Sequence, residues 1–263
     1  MEDKRAVLVV SFGTSHQKTR EKTLDVIEKE IGAAFEGYDL RRAYTSPTIL
    51  GILKNRDGIK EDNVEEALEK LIKEGYKTVL VQTTHVICGF EYDRMETVLR
   101  QYQGQFDHFA WGEPLLAEDR DYQEAVQVLG REFQGYRSPE TDLVFMGHGT
   151  EHRANVSYEK LQQAFLEEGF SDCLVGTVEA SPTLENMEIL VQKRQSKKVV
   201  LIPFLVVAGE HVQKDMAGEE ERSWKSRFEK SGYEVDCVMR GLGEYPGIRR
   251  MYVRHGKEAE KRL

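Results

Sequence analysis

The chain has 263 residues, of which 40% are hydrophobic and 32% charged, a balance that excludes a disordered chain and is long enough for one large domain or two smaller ones. Its formal net charge of −9 argues against general nucleic-acid binding, which needs a basic face, and obliges any acidic ligand to find a local basic pocket. The longest apolar run, residues 199–209, is far shorter than the about 20 residues that span a bilayer. With no basic segment leading into an apolar one at the start, a cytoplasmic protein away from membranes is expected.

Short β-rich runs alternate with longer amphipathic stretches. Strands are predicted at residues 6–11, 40–45, 78–83, 143–146, 174–178, 199–203 and 235–239. Several are apolar on consecutive residues, the pattern of strands covered on both faces in a parallel sheet. Residues 63–74 predict a helix, with Asn63 as its cap, Val64, Leu68 and Leu71 on one face and Gly75 as its stop. Residues 183–192 and 224–231 read the same way. Repeated βα units imply an α/β fold with right-handed crossovers. Cys88, Cys173 and Cys237 are too few and too scattered for a disulfide framework or a metal knuckle.

The chain also repeats itself in order. A strand and glycine turn at 9–16 returns at 145–152, Ser46-Pro47-Thr48 returns at Ser181-Pro182-Thr183, and the run 77–82 returns at 198–203. We therefore expect two similar α/β lobes, each a parallel sheet flanked by helices, with a cleft between them. The expected lobes are residues 1–135 and 136–263, the second carrying the chemistry, with the C-terminal helix free to pack back on the first.

Ligands of open parallel sheets bind at the carboxyl ends of strands. In the second half those ends offer His148 between two glycines, Glu179 before Ala-Ser-Pro, and His211 after an apolar run. Two imidazoles and a carboxylate suit a divalent first-row metal, and they can also act as bases near neutral pH. The repeat pairs His148 with Phe12, Glu179 with Tyr44 and His211 with Glu91, so the first lobe puts aromatics where the second puts polar groups. That contrast predicts a metal-bearing wall facing an aromatic shelf, suited to a large flat ligand. His148 and His152 lack the glutamate of a zincin motif, and neither a phosphate-binding loop nor a G-x-S-x-G elbow is present.

Val-Ser-Phe-Gly-Thr-Ser at 10–15, Asn-Arg-Asp-Gly at 55–58, Phe-Met-Gly-His-Gly at 145–149, Leu-Val-Val-Ala-Gly-Glu-His at 205–211, Asp-Met-Ala at 215–217, Ser-Trp-Lys at 223–225 and Gly-Leu-Gly-Glu at 241–244 resemble the CbiK-type anaerobic cobalt chelatases. These are class II, ATP-independent tetrapyrrole chelatases, and the resemblance runs the length of the chain. It implies insertion of Co2+ as substrate metal into sirohydrochlorin or precorrin-2, with no organic cofactor and no ATP. It also implies His148, Glu179 and His211 as the metal and catalytic residues, and brings Arg56, His85 and Glu91 near the tetrapyrrole beside Phe12 and Tyr44. Arg20, Arg41, Arg42, Lys54, Arg94 and Arg153 join Arg56 as candidates to meet the substrate carboxylates. The sequence leaves open Fe2+ or Ni2+ insertion into the same ring, a non-catalytic metal or tetrapyrrole binder, and a homo-oligomer.

Overall fold

The computed structural model describes residues 4–263, which divide into two units, 4–117 with 243–263, and 118–242. The first unit begins β1 (Arg5–Ser11), α1 (Gln17–Lys22), α2 (Leu24–Ala34), β2 (Asp39–Tyr44), α3 (Pro47–Asp57), α4 (Val64–Lys73), β3 (Thr78–Thr83), α5 (Phe90–Tyr102) and β4 (His108–Trp111). The second holds α6 (Asp119–Glu132), β5 (Thr141–Gly147), α7 (Val156–Glu167), β6 (Cys173–Thr177), α8 (Leu184–Arg194), β7 (Lys198–Pro203), α9 (Trp224–Lys230) and β8 (Glu234–Cys237). The chain then returns to the first unit with α10 (Pro246–Glu260).

Each unit has one four-stranded sheet whose strands pair in parallel, in the order β2-β1-β3-β4 or β6-β5-β7-β8. The central strands are the apolar ones: β3 and β5 are buried along their whole length, and β1 from Ala6 onward. Helices on both faces leave no polar side to such strands. The edge strands β2 and β8 are more polar and partly exposed, as edges are when they must not recruit another chain. β4 was not among the predicted strands: it is four residues long, and only Ala110 is fully buried. The predicted strand at 235–239 is shorter in the structure, ending at Cys237.

The unit boundary falls at residue 117, not at 135. α6 belongs with the second unit because its buried face, Tyr122, Ala125, Val126 and Leu129, serves that unit, and the Tyr122 hydroxyl donates to Ser157 Oγ at 2.9 Å. α10 is tied to the first unit. Its Tyr252 hydroxyl donates to the Thr84 carbonyl at 2.9 Å, and Arg249 reaches Glu30 at 2.6 Å. The three cysteines are free, and burial pushes the thiols of Cys173 and Cys237 up to about 12 and about 11, so both stay protonated and inert. No helix of the described residues is long and apolar enough to cross a membrane.

Candidate metal centre

In the second unit the chain runs from β5 to β6 on one side and then to β7 on the other, so its carboxyl edge splays open between β5 and β7. That switch point is where open α/β sheets hold ligands. His148 follows β5 directly, and His211 follows β7 after a loop. Their rings meet edge to face, with centroids 4.8 Å apart and an interplanar angle of 84°. Glu179 leaves the end of β6, its carboxylate 3.5 Å from His148 Nδ1.

The backbone holds this arrangement. The Glu179 N–H donates to the His148 carbonyl at 2.8 Å, and the Val178 N–H to the Gly147 carbonyl at 3.1 Å. Both glycines around His148 are dictated by packing. A Cβ on Gly147 would stand 2.2 Å from the Tyr158 ring. Gly149 has φ +82°, and a Cβ there would meet Thr177 Oγ1 at 2.7 Å and the Ala180 nitrogen at 2.8 Å. His148 Nδ1 lies 2.9 Å from the Gly149 carbonyl.

One donor atom from each of His148, Glu179 and His211 lies within 4.8 Å of the others. Bonds of about 2.1 Å to a four-coordinate ion would set such atoms roughly 3.4 Å apart. A small side-chain rotation closes that gap, and side-chain exposures of 44%, 53% and 39% leave room for it. Three protein ligands also leave a coordination position open, as in sites that exchange or react at the metal. His211 carries a partner that the sequence reading did not single out as functional: its Nδ1 is 2.7 Å from Asp215 Oδ2. The signal was the i, i+4 spacing of an imidazole and a carboxylate.

The corresponding edge of the first unit can be matched by register. Ser11 pairs with Tyr44 as Gly147 pairs with Thr177, and the Ser46 N–H donates to the Phe12 carbonyl as that of Glu179 does to His148. Phe12 therefore corresponds to His148, and it is 48% exposed. Glu91 corresponds to His211, each two residues beyond the glycine that ends a matching loop, and pairs with Arg94 at 2.9 Å. The expected match of Tyr44 to Glu179 is corrected: the counterpart of Glu179 is Ser46, a buried residue whose hydroxyl caps α3. Tyr44 is fully buried against Gly13, so it offers no face to a flat ligand and supports the turn beneath Phe12 instead.

His85 is half-buried between two threonine hydroxyls, Nδ1 2.5 Å from Thr83 Oγ1 and Nε2 3.3 Å from Thr45 Oγ1, and burial pushes its pKa down to about 4. It is neutral at physiological pH. Arg56 is exposed; its guanidinium is paired with Asp57 at 2.7 Å and donates to the Ser15 carbonyl. The two line a 340 Å³ pocket with Thr14, Ser15 and Arg20. Arg42 is enclosed by Glu28, Asp25 and Glu61, and Arg41 is paired with Glu74, so neither is free for a substrate carboxylate. Arg20 approaches Asp25 only at 3.6 Å, and its buried Nε has no hydrogen-bond partner. A larger groove of 560 Å³ between α8 and α9 lies away from the strand ends, and its Arg227 is paired with Glu188 at 2.6 Å.

Residues 5–261 match the model of the family described as cobalt chelatase (CbiK). The chain is 38% identical over 259 residues to the sirohydrochlorin cobaltochelatase of Salmonella typhimurium, covering 97% of this chain and 96% of that one. It is 35% identical over 258 residues to the sirohydrochlorin cobaltochelatase CbiKC of Nitratidesulfovibrio vulgaris, covering 96% and 89%. Among solved structures, SirB from Bacillus subtilis with Fe3+ superposes with a TM-score of 0.67 at 12% identity, covering 97% of this chain and 95% of that one, a likeness of fold. The match along nearly the whole length, with two relatives above 30% identity, shows that the chain belongs to the cobalt chelatase (CbiK) family.

Proposed function

We propose that this protein inserts Co2+ into sirohydrochlorin, without ATP or an organic cofactor, and that His148, Glu179 and His211 receive the metal. The observation that carries the reading is the convergence of these three side chains at the switch point of a sheet in a chain of the cobalt chelatase family. Insertion must strip water from the ion, remove two pyrrole protons and pass the metal to four ring nitrogens. Imidazole and carboxylate replace water as ligands and give up the ion again, because the set is open, exposed and short of a full coordination shell. Glu179 offsets part of the dipositive charge, and a histidine released by the metal accepts a pyrrole proton.

In this reading Phe12 supplies an exposed aromatic face, Arg20 supplies a cation for a substrate carboxylate, and exposed Arg56 does so by exchanging Asp57 for the substrate. Glu91 and His85 act at the edge of the first unit's sheet, His85 as a neutral hydrogen-bonding group. An anaerobic absorbance assay with purified protein, sirohydrochlorin and Co2+, without ATP, tests the proposal. Repeated turnover above the metal-only background is the expected result. Stoichiometric binding of ring or metal with no metallated product would replace the enzyme by a carrier.

A further inference from the structure

His211 opens a one-turn π-helix, Val212–Met216, where the Ala217 N–H donates to the Val212 carbonyl at 3.0 Å, five residues back. Such turns are rare and concentrate at functional sites. Gly218 closes this one: a Cβ there would stand 2.2 Å from the Lys214 carbonyl oxygen. The result is that Asp215 Oδ2 sits 2.7 Å from His211 Nδ1. Lys214, the nearest cation on the turn, is occupied by Glu210 at 2.6 Å, so it does not draw Asp215 away.

An ionised carboxylate only accepts hydrogen bonds, so the proton of a neutral His211 ring is held on Nδ1 and the lone pair is left on Nε2. His148 reaches the same tautomer by a different route, since its Nδ1 faces the Gly149 carbonyl, which also only accepts. Both rings thus present Nε2 as the free donor atom. At the matching place in the first unit, the residue four after Glu91 is Met95, buried in the core, with no polar atom to play this part.

We propose that Asp215 is a positioning residue for the metal centre: it fixes the tautomer and the orientation of His211 so that Nε2 takes the incoming ion. The inference rests on the reading of His211 as a metal ligand. Carboxylate support of a ligating histidine is worth about 10–100-fold in metal affinity.

The test uses the full chain, metal-free, with Co2+ alone as the probe. Affinity is read by calorimetry and by the visible bands of bound cobalt, and ring tautomers by long-range proton–nitrogen NMR of the histidines. Asp215→Ala is expected to weaken Co2+ about 10–100-fold and to move the proton of His211 into a mixture of Nδ1–H and Nε2–H forms. Asp215→Asn, which keeps size and an accepting oxygen and so guards against misfolding, is expected to lose less. His211→Ala separates the two layers of the argument. Unchanged Co2+ affinity in His211→Ala overturns the metal-centre reading itself. Loss in His211→Ala, with wild-type affinity and an unchanged His211 tautomer in Asp215→Ala, overturns the role of Asp215 alone. A loss in Asp215→Asn as large as in Asp215→Ala, with altered cobalt bands, would make the carboxylate a ligand and overturn the positioning role.

Discussion

The two units build the same sheet edge and finish it differently. Each central strand ends in a left-handed glycine one residue after the key side chain, Gly13 at φ +97° behind Phe12 and Gly149 at φ +82° behind His148. Beyond the next strand they part. In the first unit Ser46 caps α3 two residues after β2 ends, but in the second Thr183 caps α8 six residues after β6 ends, with the Asn186 side chain accepting its N–H at 2.9 Å. The longer connection holds Glu179. It brings a carboxylate back to His148, where the first unit has a buried hydroxyl serving its own helix. The polar edge of the second unit thus comes from one lengthened connection and a few side-chain exchanges, while the sheet stays the same.

Five measurements would break or sharpen this contrast. The largest effect is expected at the polar edge: His148→Ala and His211→Ala should each lower cobalt insertion by about 100-fold or more with unchanged circular dichroism, against less than about 10-fold for Phe12→Ala. Equal losses at Phe12 and His148 would abolish the division of labour. Next come the paired glycines. Gly13→Ala and Gly149→Ala should each cost about 2–4 kcal/mol of stability by denaturant unfolding, from left-handed strain and overpacking. Only Gly149→Ala should also impair Co2+ binding in the folded fraction.

A third test uses acid. Burial holds His85 near pKa 4, below the about 6.5 of an unfolded chain, so the unfolded state binds the extra proton between those values. Stability should therefore be full above about pH 6.5 and fall as the pH drops toward 4, and His85→Gln should flatten the slope by up to about one proton. Tyr44→Phe should leave insertion intact and stability unchanged or up to about 1 kcal/mol higher, because its buried hydroxyl has no hydrogen-bond partner. Impaired turnover in that variant would restore Tyr44 to the substrate. The last measurement concerns the ends of α3 and α8, which both close in the left-handed region, one with Gly58 and the other with Gln195 at φ +59°. Gln195→Gly should raise stability by about 1 kcal/mol in thermal unfolding.

Much of this was legible in the chain because two-sided burial writes itself as consecutive apolar residues, as in β1 and β7. His108-Phe-Ala-Trp lacks that signal, being four residues long with only Ala110 buried, and so escaped notice. The grouping of His148, Glu179 and His211 was legible because each follows a predicted strand, directly or after a loop, and strand ends converge in a parallel sheet. The pairing of Tyr44 with Glu179 failed for an instructive reason. It was aligned on the two Ser-Pro-Thr motifs, but Ser46 caps a helix, whereas Ser181 lies within the lengthened connection. Asp215 kept its helical spacing from His211, but the π-turn that carries it closes by backbone approach of Gly218 to Lys214, which hydrophobic periodicity does not encode. The unit boundary was misplaced because α6 is amphipathic like any other helix, and only its partners decide which sheet it covers.

The return of residues 243–263 to the first unit has a consequence during synthesis. The second unit is a continuous insertion, so the ribosome delivers all of its residues before the first unit has its last helix. At about 5–20 residues per second, that helix follows roughly 1–4 seconds later. Until then the cradle for α10, where Glu30 and the Thr84 carbonyl wait for Arg249 and Tyr252, stands uncovered. The half of the chain that emerges first is therefore the half that finishes folding last, because its sheet is not fully covered until residues 243–263 have left the ribosome.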